Sequence, residues 1–163
     1  MNLSGLQACL ASCVRYIQDN SQISAPPYFD EIPENFYVPS IHFPVPRTES
    51  RKATLSTWRT DIHMECWFMA RTDWEAFAYA EAVRDCILRD GCAIPVVDLD
   101  GTDSGLKVRI TEPSIRKQES RIVRMAFTVR EYATFEGDVE DQVSDVYMSW
   151  LGATAEQRSL QEE

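Results

Sequence analysis

The chain has 163 residues, is 44% hydrophobic and carries a formal charge of −10, which suits one domain burying roughly two thirds of its unfolded surface. No apolar run approaches the ~20 residues of a membrane-crossing helix, and the opening MNLSGLQACLASC has neither a charged leader nor a long hydrophobic stretch, so a soluble, unexported chain is expected. The acidity is concentrated at one end: residues 136 to 163 hold eight acids and Arg158 alone, a net of −7, whereas the other 135 residues carry 15 basic and 18 acidic side chains.

Leu3, Leu6, Leu10, Val14 and Ile17 recur at steps of three and four, which predicts an amphipathic helix over about residues 3 to 18. From Asp19 to Asn35 the Pro, Ser, Asp and Asn content predicts an extended connection that lies along the core through Tyr28 and Phe29. In YVPSIHFPVPR (37–47), Ile41, Phe43 and Val45 alternate as in a strand, but Pro39, Pro44 and Pro46 require that strand to have one side free or to break soon after it starts, and a sheet margin is its expected place. The stretch Arg47 to Ser56 is polar and without period, and is expected to be a loop.

Next comes the longest strand, in which Trp58, Thr60, Ile62, Met64, Cys66 and Phe68 share one face. Its other face begins polar and turns apolar at Trp67 and Met69, which marks that end as a surface wanting cover. TDWE (72–75) has the spacing of a capping box. Phe77, Ala80, Val83 and Ile87 continue an inward helical stripe that Trp74, Ala76 and Tyr79 widen, up to Gly91. AIPVVDL and GLKVRI flank the turn-rich DGTDS as a hairpin, with Leu106, Val108 and Ile110 inward and Lys107 and Arg109 outward. TEPSIRKQES reads as a connection to a last strand, in which Val123, Met125, Phe127 and Val129 alternate with Arg124, Ala126, Thr128 and Arg130. Val139, Val143, Val146, Tyr147, Trp150 and Leu151 then form an apolar stripe on an acidic helix.

These elements predict an α+β fold with a mostly antiparallel, mixed sheet and two helices on one face. The domain is placed at residues 1–133 and an acidic helical extension at 134–163.

Chemistry-bearing residues are sparse. His63 and Cys66 would point to opposite faces of a strand, with no further ligands nearby for a closed metal site, and His42 is isolated on the proline-marked strand. Asp98, Asp100 and Asp103 surround a turn, where Asp is favoured for its bonds to nearby backbone, and no glycine-rich phosphate loop occurs. The five cysteines lack CxxC pairing and read as buried thiols. No catalytic, metal or cofactor residues are assigned. The basic run Lys107, Arg109, Arg116, Lys117, Arg121, Arg124 and Arg130 exceeds its local acids by five, a surplus open to three uses: ordinary surface, contact with acidic neighbours, or contact with DNA.

The leading amphipathic helix, YVPSIHFPVPR, the long strand ending HMECWFMART, the DWEAFAYAEAVRDCIL helix and the closing RIVRMAFTVREY strand together resemble the tail terminator (tail completion) proteins of long-tailed bacteriophages, over residues 3 to 133. The resemblance implies a non-enzymatic virion subunit, made in the host cytoplasm. It would form a ring, typically six-fold, that closes the head-proximal end of the tail tube and offers a surface to head-completion proteins. Its partners would be copies of itself, the tail tube protein, a head-completion or connector protein and, in passing, genomic DNA; no membrane is involved. The interface set expected on that reading is Arg47, Arg51, Lys52, Trp67, Met69, Lys107, Arg109, Arg124, Arg130, Val143, Tyr147 and Trp150. Another head-tail connector or head-completion protein is the alternative within this class; a small ligand-binding or enzymatic domain is the alternative outside it.

Overall fold

The computed structural model describes residues 3–98 and 100–134. In chain order its elements are α1 (Leu3–Asn20), β1 (Tyr28–Phe29), β2 (Ser40–Phe43), β3 (Arg47–Lys52), β4 (Thr57–Met69), α2 (Asp73–Arg89), β5 (Ala93–Val97), β6 (Asp103–Arg109), β7 (Ser114–Glu119) and β8 (Ile122–Thr134). The fold is α+β. A mixed, mostly antiparallel sheet runs β1-β2-β4-β8-β7, with β3 joined through β4, and β5 and β6 form a separate two-stranded ribbon. The expected C-terminal helix, and with it Val143, Tyr147 and Trp150, lies outside the described residues.

Two compact units divide the chain: Met1–Glu49 with Thr60–Glu131, and Ser50–Arg59 with Tyr132–Glu163. The first holds the hydrophobic core. Ile62, Met64, Cys66 and Phe68 of β4 and Val123, Met125, Phe127 and Val129 of β8 point to one side, where Cys13 and Ile17 of α1 and Ala76, Ala80, Val83 and Ile87 of α2 meet them. Period two in the strands and period 3.6 in the helices place these residues on a single buried layer. In the second unit the described residues include the turn between β3 and β4, where the Ala53 and Thr54 N–H groups donate to the Thr57 carbonyl at 2.8 and 3.0 Å.

Local chemistry explains the element boundaries. Thr72 Oγ1 accepts from the Glu75 N–H at 3.1 Å, and Glu75 Oε2 accepts from the Arg71 N–H at 3.0 Å, so two free donors at the start of α2 are satisfied. At its other end Gly91 adopts φ +68° and the Cys92 N–H donates back to the Ile87 carbonyl at 2.9 Å, a left-handed termination that glycine adopts without steric cost. Ser12 ties α1 to the ribbon: its hydroxyl donates to the Ala8 carbonyl at 2.6 Å and accepts from the Val97 N–H at 2.9 Å.

The structure departs from the sequence expectations at several places. The proline-marked strand is short, with a cis Val38–Pro39 bond before it, and it is not the margin, because β1 pairs with it in parallel through Tyr28↔His42 and Phe29↔Phe43. Pro44 and Pro46, which have no N–H to donate, follow directly on its end. Ile41 and Phe43 are buried as expected, whereas Val45 is 73% exposed.

Arg47–Lys52 and Ser114–Glu119 are strands, not a loop and a connection. Every residue of β3 is exposed, and in β7 only Ile115 is partly covered; a strand wetted on both faces has no need of apolar alternation, so the pattern gave no signal. Trp58, in the second unit, is exposed, and Trp74 is 82% exposed at the first turn of α2, edge-on to Phe77 at 6.2 Å between ring centroids. Leu106 is exposed too, because β6 belongs to a ribbon that meets α1 through β5.

Candidate interaction surface

The sheet face away from the helices is built from the second row of side chains on β4 and β8. Asp61, His63 and Glu65 stand on one strand and Arg130, Thr128 and Arg124 on the other, in antiparallel order. They join rung by rung. Arg130 Nε donates to Asp61 Oδ1 at 3.0 Å, His63 Nδ1 and Thr128 Oγ1 are hydrogen-bonded at 3.0 Å, and Arg124 Nη2 donates to Glu65 Oε1. From β3, Glu49 brings Oε2 to 3.8 Å from His63 Nε2 while it receives Arg47 Nη2 at 2.6 Å. The result is a polar ladder flanked by a groove of about 480 Å³, with Arg47, Trp67, Glu112 and Ser114 also in its lining.

Pairing changes the meaning of the basic run. Arg124 and Arg130 are matched on the ladder, and Lys117 Nζ is 2.6 Å from Asp73 Oδ2 at the start of α2, where the Arg121 N–H also donates to Asp73. Lys117 first, then the Arg121 N–H, hold the Asp73 carboxyl below the usual carboxylate range. Lys107 and Arg109 lie on β6, in the other sheet, opposite Pro95 and Ala93. A surplus that looks continuous along the chain is thus divided between two sheets, and long-range acids offset much of it. Specific pairing of this kind suits a surface that recognises shape and register more than one that tracks phosphates.

Of the residues expected at an interface, Arg47, Arg51 and Lys52 are exposed on β3, and Lys107, Arg109 and Arg130 are exposed on β6 and β8. Arg47, Trp67 and Arg124 come together in the groove. Met69 does not join them: it is buried, paired in register with Ser40 of β2, so the apolar end of the outer β4 row is covered within the chain itself. Trp67 is half-buried, edge-on to His42 at 5.1 Å, and His42 Nε2 is hydrogen-bonded to the Asp30 carbonyl at 3.0 Å. His42 of β2, held by the Asp30 carbonyl, thus supplies part of the cover that the sequence asked for.

Sequence pattern did not reveal that Trp67 Nε1 and the Arg124 Nε are buried without a hydrogen-bond partner among the described residues. A buried N–H of this kind costs about 1–3 kcal/mol unless an acceptor is supplied. The signal for it would have been a Trp and an Arg on the wet rows of two adjacent strands, but their proximity depends on a register that only folding sets.

The other polar groups singled out by sequence fall elsewhere. Cys66 is fully buried toward the helices while His63 faces the ladder. Burial pushes the Cys66 thiol well up, and the Cys13 thiol up to about 12. Asp100 Oδ1 accepts from the Thr102 hydroxyl at 2.6 Å and N–H at 2.9 Å, which hold its carboxyl below the usual carboxylate range, and Asp103 Oδ1 accepts from the Gly105 N–H at 2.9 Å. Asp100 thus serves the turn between β5 and β6, and Asp103 the start of β6.

No protein-family model matches the chain. It is similar to the phage-like element PBSX protein XkdJ of Bacillus subtilis (strain 168), at 28% identity over 96 residues. The matched stretch spans 59% of this chain and 66% of that protein.

Proposed function

We propose that the chain is a phage-type virion structural subunit that assembles as a closed ring, six-fold as in the tail terminator proteins it resembles, at the head-proximal end of a long tail, ends growth of the tail tube and presents a joining surface to a head-completion or connector protein. The observation that carries the reading is the similarity to a phage-like element protein over more than half of the chain, taken with an α+β fold of the class that the tail terminator resemblance implies. The subunit would reside in the virion at the head–tail junction after assembly in the host cytoplasm.

The outer sheet face supports an interface role on physical grounds. It offers matched charges, a half-buried Trp67 and two buried N–H groups in need of acceptors, and Trp and Arg are the residue types that dominate binding energy at protein interfaces. Any contact with DNA in the lumen would be a passing one, made from the exposed β3.

The test is to mix the purified protein with tail tubes still competent to elongate and image them by electron microscopy. The expected result is a ring at one end of each tube and arrested growth from that end. Tubes that elongate unchanged and bear no added density at either end would overturn the reading.

A further inference from the structure

The first unit carries a second, more apolar groove on the side of α1, which shares Pro44, Val45 and Met64 with the polar one. Leu10 and Val14 of α1, Phe29 of β1, Val45 and the side chain of Met64 line an apolar groove of about 600 Å³. Phe29 is 57% exposed even though it stacks on Phe43 at 5.8 Å, and Val45 is 73% exposed in the proline segment after β2. The charged lining residues Arg15 and Asp19 are paired with each other at 3.8 Å and lie largely in solvent. Large apolar side chains gathered in one exposed groove mark a docking site.

The sequence holds a segment with the complementary character. Beyond Thr134 lie 29 residues, and within them Val139, Val143, Val146, Tyr147, Trp150 and Leu151 recur at helical spacing while Asp138, Asp141 and Asp145 fall on the opposite side. As a helix, residues 138–151 would run about 20 Å, long enough to lie along the α1 wall of the groove. Anchors at i, i+4, i+7, i+8 and i+11 are the pattern of a helix laid into an apolar groove. We infer that the apolar stripe Val139–Leu151 of one copy docks in the Leu10, Val14, Phe29 and Val45 groove of a second copy.

The inference rests on the ring reading, and it names the contact that would close the ring. Each copy carries one groove and one stripe. They are different patches, so the contact is head-to-tail, and such a contact generates either a closed ring or an open filament. Were the stripe satisfied by its own groove, neither patch would be left for a neighbour.

Two full-length variants test it, V45E in the groove and W150E in the stripe, with V143E as a second stripe variant. Val45 is exposed and outside the strands, so a carboxylate there leaves the core untouched. In sedimentation velocity the wild type should form rings, and each variant should stay monomeric at concentrations at least tenfold higher. A mixture of V45E and W150E should yield a 1:1 heterodimer and nothing larger, because one intact stripe then meets one intact groove. A labelled peptide of residues 136–151 should bind W150E and not V45E. Rings formed by both variants as readily as by the wild type would overturn the inference and leave the ring reading standing, and so would a mixture that stays monomeric. A lower melting temperature of monomeric W150E, with no change in association, would assign the stripe to its own groove and overturn it as well. A wild type that forms no ring alone or on tail tubes would instead remove the ring reading, and this contact with it.

Discussion

Arg130 on β8 reaches across to Asp61 on β4, Nε to Oδ1 at 3.0 Å, with the carboxylate side chain one-tenth exposed and the guanidinium nearly half exposed. A carboxylate with so little access to water depends on the partners the fold provides, whereas the arginine can return to solvent. Replacing the arginine should therefore cost more than a surface ion pair is worth. Urea denaturation of R130M is expected to show a loss of about 1–2 kcal/mol, and the D61N/R130M double variant a smaller loss than the two single effects combined. Additive effects would mean that the rung contributes nothing as a pair.

Asp73 links stability to pH. Its carboxyl is held below the usual range, chiefly by Lys117, so the unfolded chain takes up the proton first as pH falls. The contribution is present above the unfolded carboxylate value and is lost as pH drops through the lower folded value. Melting temperatures of the wild type and D73N should differ by a constant amount above about pH 5 and converge as pH falls through the lowered folded value. A difference that grows on acidification would contradict the assignment.

The thiols should divide by burial. Cys13 and Cys66 are buried with their ionisation suppressed, while Cys9, Cys86 and Cys92 are partly exposed. Because the thiolate is the reactive form, a thiol reagent at pH 8 should modify no more than the three partly exposed cysteines in the native protein, and all five in denaturant. Rapid native labelling of Cys66, located by peptide mapping, would count against the packing of β4.

The start of α2 depends on the Thr72 hydroxyl. T72A should destabilise the protein by about 1 kcal/mol, measured by thermal or urea unfolding. T72S, which keeps the acceptor, should stay within a few tenths of the wild type. Equal losses in both variants would shift the effect from the cap to the lost methyl group.

The legible parts of the molecule were those whose local period meets a one-sided environment. α1, α2, β4 and β8 each bury one row or stripe and wet the other, so their alternation could be read directly, as could the Thr72 cap and the left-handed Gly91. β3 and β7 were missed because strands such as RTESRK and SIRKQE, wet on both sides, owe their shape to partners elsewhere in the chain. Trp74 and Leu106 were misplaced for other reasons: Trp74 stands on the side of α2 away from the buried Ala76, Ala80, Val83 and Ile87, and Leu106 lies on the separate ribbon, while Trp58, in the second unit, is simply exposed.

The candidate surface was legible in composition and not in arrangement. Arg47, Trp67 and Arg124 were singled out, and all three line the groove; Met69, from the same apolar end of β4, is buried beside Ser40 of β2. Asp61, Glu65 and Asp73 were not seen as the partners of Arg130, Arg124 and Lys117, from which 69, 59 and 44 positions separate them.

By itself the amino-acid order determined which faces are apolar, where helices start and stop, and that the acidic charge gathers after residue 135, because these follow from side-chain period and backbone chemistry over a few neighbouring residues. Tertiary structure alone decided which charges meet, which N–H groups are left without acceptors and which apolar side chains line an open groove. Those outcomes depend on strand register and sheet order, contacts between residues tens of positions apart, to which no local pattern is sensitive.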